Sequence, residues 1–520
     1  MSQNSGTADQ QEVATFTEMT TGYRVAPLAM GSGEFRVLGH QLIDRIAEFL
    51  DALPGRPVTP AESPSEIREA LRADRPLPQQ GEAPAGLLNH AADLLFEHSL
   101  LNGHPRFWGY ITSSAAPIGA LGELLSAAVN PNVGAWPLSP IASEMEAQTI
   151  RWIAEMLGYS PNCAGIFVSG GNMANLVCFL AARQAMAGRD MRKEGLKDAR
   201  LRVYCSSETH TWVQKAADIS GLGTDAIRWI ATNDRMQMDT TALRQQIADD
   251  LKAGEQPFLV VGTAGTVSTG AIDPLPELAA ICREFNLWFH VDGAYGGFAS
   301  ILPDAPAELA GLLEADSVAV DPHKWLYAPL EAGCALVRSR DDLRNAFAYH
   351  PPYYHFGTEA VNYFDLGPQN SRGFRALKVW LAIQQAGRDG YVRMISDDIC
   401  LAVTLFEQIP RFPELEALTQ SLSITTFRFV PTDLRSGGEE VEDYLNELNR
   451  ELLTRLQSTG DVYLSNAVIR RKFALRICIV NFRTSLADVE ALLPLVVRLG
   501  NESDSTLRPG ALRPHYLAEQ

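Results

Sequence analysis

Between residues 165 and 337 the chain carries a series of short, mostly continuous apolar runs: Gly165–Val168, Leu201–Cys205, Phe258–Val261, Leu287–Val291, Ser317–Val320 and Cys334–Val337. Most are rich in β-formers and bounded by Gly, Ser, Asp or Pro, and helical stretches separate most of them. This alternation constrains the fold more than any other feature of the sequence. Strands apolar on both faces need cover on both faces, and strand alternating with helix supplies it, so an α/β domain with a mainly parallel sheet is predicted.

The flanking regions read differently. Residues 1–30 are polar and aperiodic and are expected to form a disordered leader. Residues 34–50 place apolar side chains at helical spacing and stop near Pro54-Gly55. A Pro-rich link over 57–64 leads to further helical stretches around Ser65–Ala73 and Gly86–Leu101. Beyond about residue 390 comes a helix rich in Ile, Leu and Val. The alternating segments Ile424–Val430 and Ala474–Val480 follow, with helices between and after, and predict a small α+β domain. The expected organisation is a leader over 1–30, an N-terminal helical segment over 31–114, a large domain over 115–390 and a small C-terminal domain over 391–520.

A net charge of -18 argues against nucleic acid or an anionic membrane surface as partner, since both require basic surface. No apolar run is long enough to span a membrane, and the first twenty residues, without Lys, Arg or an apolar core, do not read as a secretory signal. The seven cysteines are scattered with no C-x-x-C pair, the pattern of reduced thiols in a cytoplasmic protein. No motif calls for a metal.

In open α/β sheets ligands lie at the carboxyl ends of the strands, and four such ends carry chemistry. Ser169-Gly170-Gly171-Asn172 follows a strand and opens a helix; glycines admit close approach and a helix N-terminus attracts a phosphate, although a Gly pair is also an ordinary turn. Asp292 closes an apolar strand, so its carboxylate should be partly buried and in need of a cationic or hydrogen-bonding partner, or else serve as a cap. Lys324 follows another strand, in Ala319-Val-Asp-Pro-His-Lys-Trp325; in a pocket its amine would become nucleophilic, and on the surface it would be an ordinary solvated lysine. His210, in Glu208-Thr-His-Thr-Trp212, stands at a strand–helix junction where packing is the common fate. Together a phosphate cradle, a buried acid and an imine-forming lysine are what pyridoxal phosphate requires. The acid keeps the pyridine nitrogen protonated, and His210 and Ala294 are candidates to take the two faces of the ring.

These residues resemble the group II pyridoxal-phosphate-dependent decarboxylases, and the aromatic-L-amino-acid branch most. The likeness runs from about Glu34 to about Leu499 and includes His104-Pro-Arg-Phe-Trp108, Ser169–Asn175, His210, Gly262-Thr-Ala-Gly-Thr-Val267, the Asp292 segment, Asp321-Pro-His-Lys-Trp325, Ser371–Trp380 and Asn481-Phe-Arg-Thr-Ser485. The resemblance implies the fold-type I, aspartate-aminotransferase-like architecture. It also implies a homodimer with active sites at the subunit interface and the N-terminal helical segment packed on the partner.

By position the resemblance makes Lys324 the cofactor-bearing lysine, Asp292 the partner of the pyridine nitrogen, and His210 and Ala294 the groups on the ring faces. Gly171, Asn172 and His323 fall near the phosphate and Thr266 near the ring substituents. Tyr353 falls on a loop that closes over the substrate and protonates its α-carbon, with adjacent Tyr354 a second candidate. Trp108, Tyr110, Thr112, Gly134 and Leu330 fall in the substrate pocket, with Phe107 and Trp136 as further aromatic candidates. The chain departs from the family at Gly170 and Gly171, where Ser or Ala is common. It departs again at Gly134 and Leu330, where the animal aromatic enzymes carry aromatics, and this implies a wider pocket.

The expected activity is decarboxylation of an L-aromatic amino acid to its amine. An acidic substrate such as glutamate would need a cation for its side chain, for which Arg106 is the candidate. A lyase of the sphingosine-phosphate type would be favoured by an apolar N-terminus, and a binding protein without activity by loss of the lysine; neither feature is in the sequence.

Overall fold

The structure, a computed structural model, describes residues 26–350 and 360–512. Contacts divide the chain into two compact units. The first contains helices α1 (Ser32–Ala52), α2 (Pro64–Leu71) and α3 (Pro84–His98). Ser63 and Glu66 form a reciprocal capping box at the start of α2. Between α1 and α3, Phe49 stacks on Phe96 at 4.4 Å and the Arg45 guanidinium donates to Asn89. The segment expected over 31–114 is divided, because residues 53–61 and everything from Ser99 onward belong to the second unit. The physical cause is pairing: Val58 N–H donates to Gly460 O (2.8 Å), Leu101 N–H donates to Val58 O (2.9 Å), and Leu53, Val58 and Leu101 are buried.

The second unit opens with helices α4 (Pro117–Val129) and α5 (Pro140–Met156). An alternation follows: β1 (Ala164–Val168), α6 (Gly171–Met186), α7 (Met191–Glu194), β2 (Leu201–Ser206), α8 (Trp212–Ile219), β3 (Ile227–Ile230), α9 (Thr240–Lys252), β4 (Gln256–Thr263), α10 (Leu275–Phe285), β5 (Trp288–Asp292), β6 (Ser317–Val320), β7 (Gly333–Val337) and α11 (Arg340–Phe347). The seven strands make one sheet in the order β1-β7-β6-β5-β4-β2-β3. The pairs from β6 through β5, β4 and β2 to β3 are parallel; β7 runs antiparallel to both β6 and β1. The mainly parallel sheet expected from the apolar runs is therefore present, and β1, β5, β6 and β7 are buried along their whole length.

The long helix α12 (Ala376–Gln408) leads to the C-terminal part, interrupted at Gly387 by a non-helical backbone with φ +64°. The boundary expected at 390 thus lies inside α12. Strands β8 (Leu415–Ser421), β9 (Ile424–Phe429), β10 (Ser465–Ile469) and β11 (Lys472–Cys478) form an antiparallel sheet in the order β10-β11-β9-β8, with α13 (Glu439–Ser458) and α14 (Leu486–Leu507) packed against it. A second hydrophobic core lies here, built on Leu, Ile, Val and Phe of these elements and on Trp108. Among the described residues no helix is long and apolar enough to cross a membrane.

Candidate active site

The carboxyl ends of the parallel strands and the loops after them enclose a cavity of about 360 Å³. Gly171, Asn172, His210, Asp292, Ala294, His323, Lys324 and Leu330, all singled out from the sequence, line it, together with Ser169, Trp212, Thr263, Val267, Tyr295 and Asp321.

One end of the cavity is a cradle. Strand β1 delivers the chain to Gly170, whose φ of +120° an L side chain rarely adopts. Helix α6 then starts at Gly171 without a side-chain cap, so its first N–H groups are free to point at an anion. A Cβ on Gly171 would lie 2.7 Å from Asp321 Oδ2 and 3.3 Å from the Ala294 methyl, so the space beside the helix start exists only because the residue is glycine. His323 borders the cradle. Its Nδ1–H donates to Ala332 O (2.7 Å), and burial holds its imidazole below the ordinary pKa.

At the other end Asp292 terminates β5 and is 6% exposed. Its Oδ2 accepts from the Trp212 indole N–H (2.7 Å) and its Oδ1 from Ala294 N–H (3.1 Å). His210 accepts at Nδ1 from Trp212 N–H (3.2 Å), which leaves the ring proton on Nε2. Burial lowers the His210 pKa, and the nearby Asp292 charge offsets part of the effect. Beneath them, His290 Nε2–H donates to Asn175 Oδ1 (2.7 Å) and Nδ1 accepts from Ser317 (2.8 Å). Complete burial pushes the His290 pKa down to about 4.

Lys324 reaches in from the loop after β6. Its Nζ lies 3.0 Å from Asp321 Oδ2. Asp321 Oδ1 and Thr263 Oγ1 are buried with no hydrogen-bond partner among the described residues. Unpaired buried polar atoms on the wall of a cavity call for a polar ligand. With the glycine cradle, an acid at one end and an amine between, the residues present fit pyridoxal phosphate.

Other expectations are placed elsewhere. Thr266 is fully buried and bonds Thr269 Oγ1 (3.0 Å), so Thr263 rather than Thr266 meets the cavity. Trp108 does not line the cavity; it belongs to the C-terminal core, where its indole donates to Thr484 Oγ1 (3.2 Å). Phe107 stacks on Tyr463 (5.5 Å), and Trp136 is half-buried and donates to Glu144 (2.8 Å). Tyr110 is 55% exposed and Thr112 half-buried; their neighbour Ile111 is the residue of that segment on the cavity wall. Gly134 does not widen the cavity, because the space of its missing side chain is taken by the Asn370 carbonyl. Arg106 lies off the wall, 3.8 Å from Asp488. Tyr353 and Tyr354 lie outside the described residues. Trp212 and Asp321 sit inside motifs recognised in the sequence, yet their roles depend on which strand ends face them.

Comparison with known proteins is consistent with this site. Residues 64–429 match the family described as the pyridoxal-dependent decarboxylase conserved domain. The chain is 32% identical over 480 residues to an aromatic-L-amino-acid decarboxylase of Bacillus atrophaeus, covering 91% of this chain and 97% of that one. It is 30% identical over 461 residues to a 4-hydroxyphenylacetaldehyde synthase of Rhodiola rosea, covering 88% and 92%. Among solved structures, Oryza sativa TDC with PLP and tryptamine superimposes with a TM-score of 0.85 at 27% identity, over 92% of this chain and 99% of that chain.

Proposed function

The chain belongs to the pyridoxal-dependent decarboxylases, carboxy-lyases that work with pyridoxal phosphate, and from that premise we propose that it converts an L-aromatic amino acid to its amine and carbon dioxide. One observation carries the choice of substrate. Among the described residues lining the cavity, Lys324 is the only Lys or Arg, and the walls away from the cradle include Ile111, Val267 and Leu330. The carboxylate of a glutamate side chain would be desolvated there without a cation, whereas an aromatic ring loses nothing by entering. Relatives named for aromatic substrates support the same reading.

When bound, pyridoxal phosphate supplies an electron sink for the pair left on the substrate α-carbon as carbon dioxide departs. The protein's part is to hold and orient. Gly171, Asn172 and the start of α6 take the phosphate, with His323 beside them. Asp292 would hold a proton at the pyridine nitrogen, and His210 and Ala294 would take the two faces of the ring. Lys324 Nζ would hold the cofactor by its aldehyde group, with Asp321, 3.0 Å away, as its counter-charge. The active protein is a homodimer, supported by the outward apolar face of α4, where Leu121, Leu124, Leu125 and Val129 are each at least half exposed. Its compartment is the cytoplasm, in keeping with seven unpaired cysteines, five of them buried.

The test is carbon dioxide release from the twenty L-amino acids and from hydroxylated aromatic relatives. Tryptophan, tyrosine, phenylalanine or a hydroxylated relative should be turned over with glutamate poor, and Lys324→Ala should lose activity by orders of magnitude. Efficient glutamate turnover with inert aromatics would reverse the substrate assignment.

A further inference from the structure

Trp212 occupies an unusual position. It is 2% exposed, begins α8, and supplies two N–H donors in two directions: its backbone to His210 Nδ1 and its indole to Asp292 Oδ2. The indole is held edge-on by two rings, His290 at 5.6 Å and Phe179 at 6.5 Å, both near perpendicular. His290 is in turn fixed by Asn175 and Ser317. The indole N–H therefore arrives at the carboxylate on a rigid mount. Among the described residues the only other donor to the Asp292 side chain is Ala294 N–H, on the opposite oxygen. The titratable groups facing Asp292 are His210, His290 and Cys178, and none of them donates to its carboxylate.

A carboxylate turns easily about its last bond, and a single backbone donor on Oδ1 does not fix its plane. Two donors on two oxygens do, and they leave one set of lone pairs aimed into the cavity. We propose that Trp212 is a positioning residue: its indole N–H fixes the Asp292 carboxylate in the orientation that keeps the cofactor's pyridine nitrogen protonated. The inference rests on the role proposed above for Asp292. Substituting the side chain leaves the backbone N–H bond to His210 in place, so the two links separate experimentally.

The experiment uses holoenzyme reconstituted with pyridoxal phosphate labelled with 15N in the ring, and reads the ring-nitrogen shift against pH. Wild type should stay protonated to high pH, and Asp292→Asn should lose that. Trp212→Phe keeps an aromatic of similar shape without the N–H, and should lower the midpoint toward that of Asp292→Asn by about one pH unit. Its kcat should fall more than its KM rises. Phe179→Leu is the packing control, since it loosens the same contact and removes no donor; it should lower Tm and leave the midpoint unchanged.

A midpoint in Trp212→Phe equal to wild type, with Asp292→Asn shifted, would overturn the proposal for Trp212 alone. An equal shift in Phe179→Leu would do the same, by tracing the effect to packing. An unshifted Asp292→Asn would overturn the role of Asp292 and the inference with it. If Trp212→Phe does not fold, the indole 15N–1H spectrum of wild type decides: among the eight tryptophans, one downfield indole proton should move when pyridoxal phosphate is added, and a spectrum in which none moves overturns the proposal.

Discussion

Asp321 and Lys324 form a pair that neither could leave alone. The Asp321 side chain is 3% exposed and its Oδ2 is 3.0 Å from Lys324 Nζ, while Oδ1 has no partner among the described residues. Removing one member of a buried ion pair leaves the other charged and desolvated, typically at a cost of about 3–5 kcal/mol. In the cofactor-free protein Lys324→Ala should therefore lower Tm as well as abolish activity. Asp321→Asn added to Lys324→Ala removes the stranded charge and should recover most of that loss, although the double variant stays inactive. Differential scanning calorimetry of the cofactor-free proteins checks this; a double variant no more stable than Lys324→Ala would mean that the pair carries no coupling. The contrast between two tryptophans belongs to the same scale. Trp212 lines the cavity and Trp108 fills the C-terminal core, and no local pattern distinguishes them, because an aromatic's neighbours come from distant parts of the chain.

Helix α12 grips the loop that carries Lys324 from behind. Asp398 Oδ2 accepts from Tyr327 (2.7 Å) and from the Trp325 indole (3.1 Å), its Oδ1 accepts from Asn481 N–H (3.3 Å), and Tyr391 donates to Leu326 O (3.1 Å). Among the described residues no cation joins Asp398, and burial pushes its carboxyl up to about 7 from the ordinary 3.8. The folded state thus binds this proton more tightly than the unfolded state. The group's contribution to stability is complete below pH 3.8 and is lost as pH rises through 7. Asp398→Asn cannot ionise, so its Tm relative to wild type should improve between pH 5 and pH 8; a difference that does not move with pH would mean that Asp398 titrates normally. Asp398→Ala should be destabilised at both pH values, because the Tyr327 and Trp325 donors lose their acceptor, at about 1–3 kcal/mol each. An Asp in the middle of a helix announces none of this in the sequence. The main strands are legible because burial on both faces writes a continuous apolar run. Strand β3 (Ile227–Ile230) is not, being four residues long at the sheet edge with Arg228 and exposed Trp229 breaking the run. The Lys324, Asp292 and His210 motifs are legible because each follows a strand end, whereas Asp398 depends on how a helix 71 to 73 residues further along the chain meets that loop.

At the scale of the whole molecule, α4 is built inside out for a monomer. Its inward side is glycine: a Cβ on Gly119 would overlap Pro329, and one on Gly122 would meet Leu381 of α12 at 2.9 Å. Its outward side carries Leu121, Leu124, Leu125 and Val129, exposed by 50%, 50%, 55% and 68%, at spacings that share one helical face. In the homodimer proposed above, a second copy of the chain would cover this face. Burying each of these side chains is worth roughly 1.5–3 kcal/mol, and a twofold contact counts them twice. The inward neighbour of α4 is Pro329, next to Leu330 on the cavity wall, so the seating of α4 bears on the substrate site through Pro329. Light scattering should give twice the 56.9 kDa chain mass. The double substitution Leu124→Glu with Leu125→Glu puts two charges per subunit into that contact. It should yield a folded monomer with an unchanged far-ultraviolet spectrum and reduced turnover, because α4 would lose the support that seats it against Pro329, beside Leu330 of the cavity wall. A double variant that keeps twice the chain mass and full turnover would place the interface elsewhere and leave α4's apolar face without a role in the site.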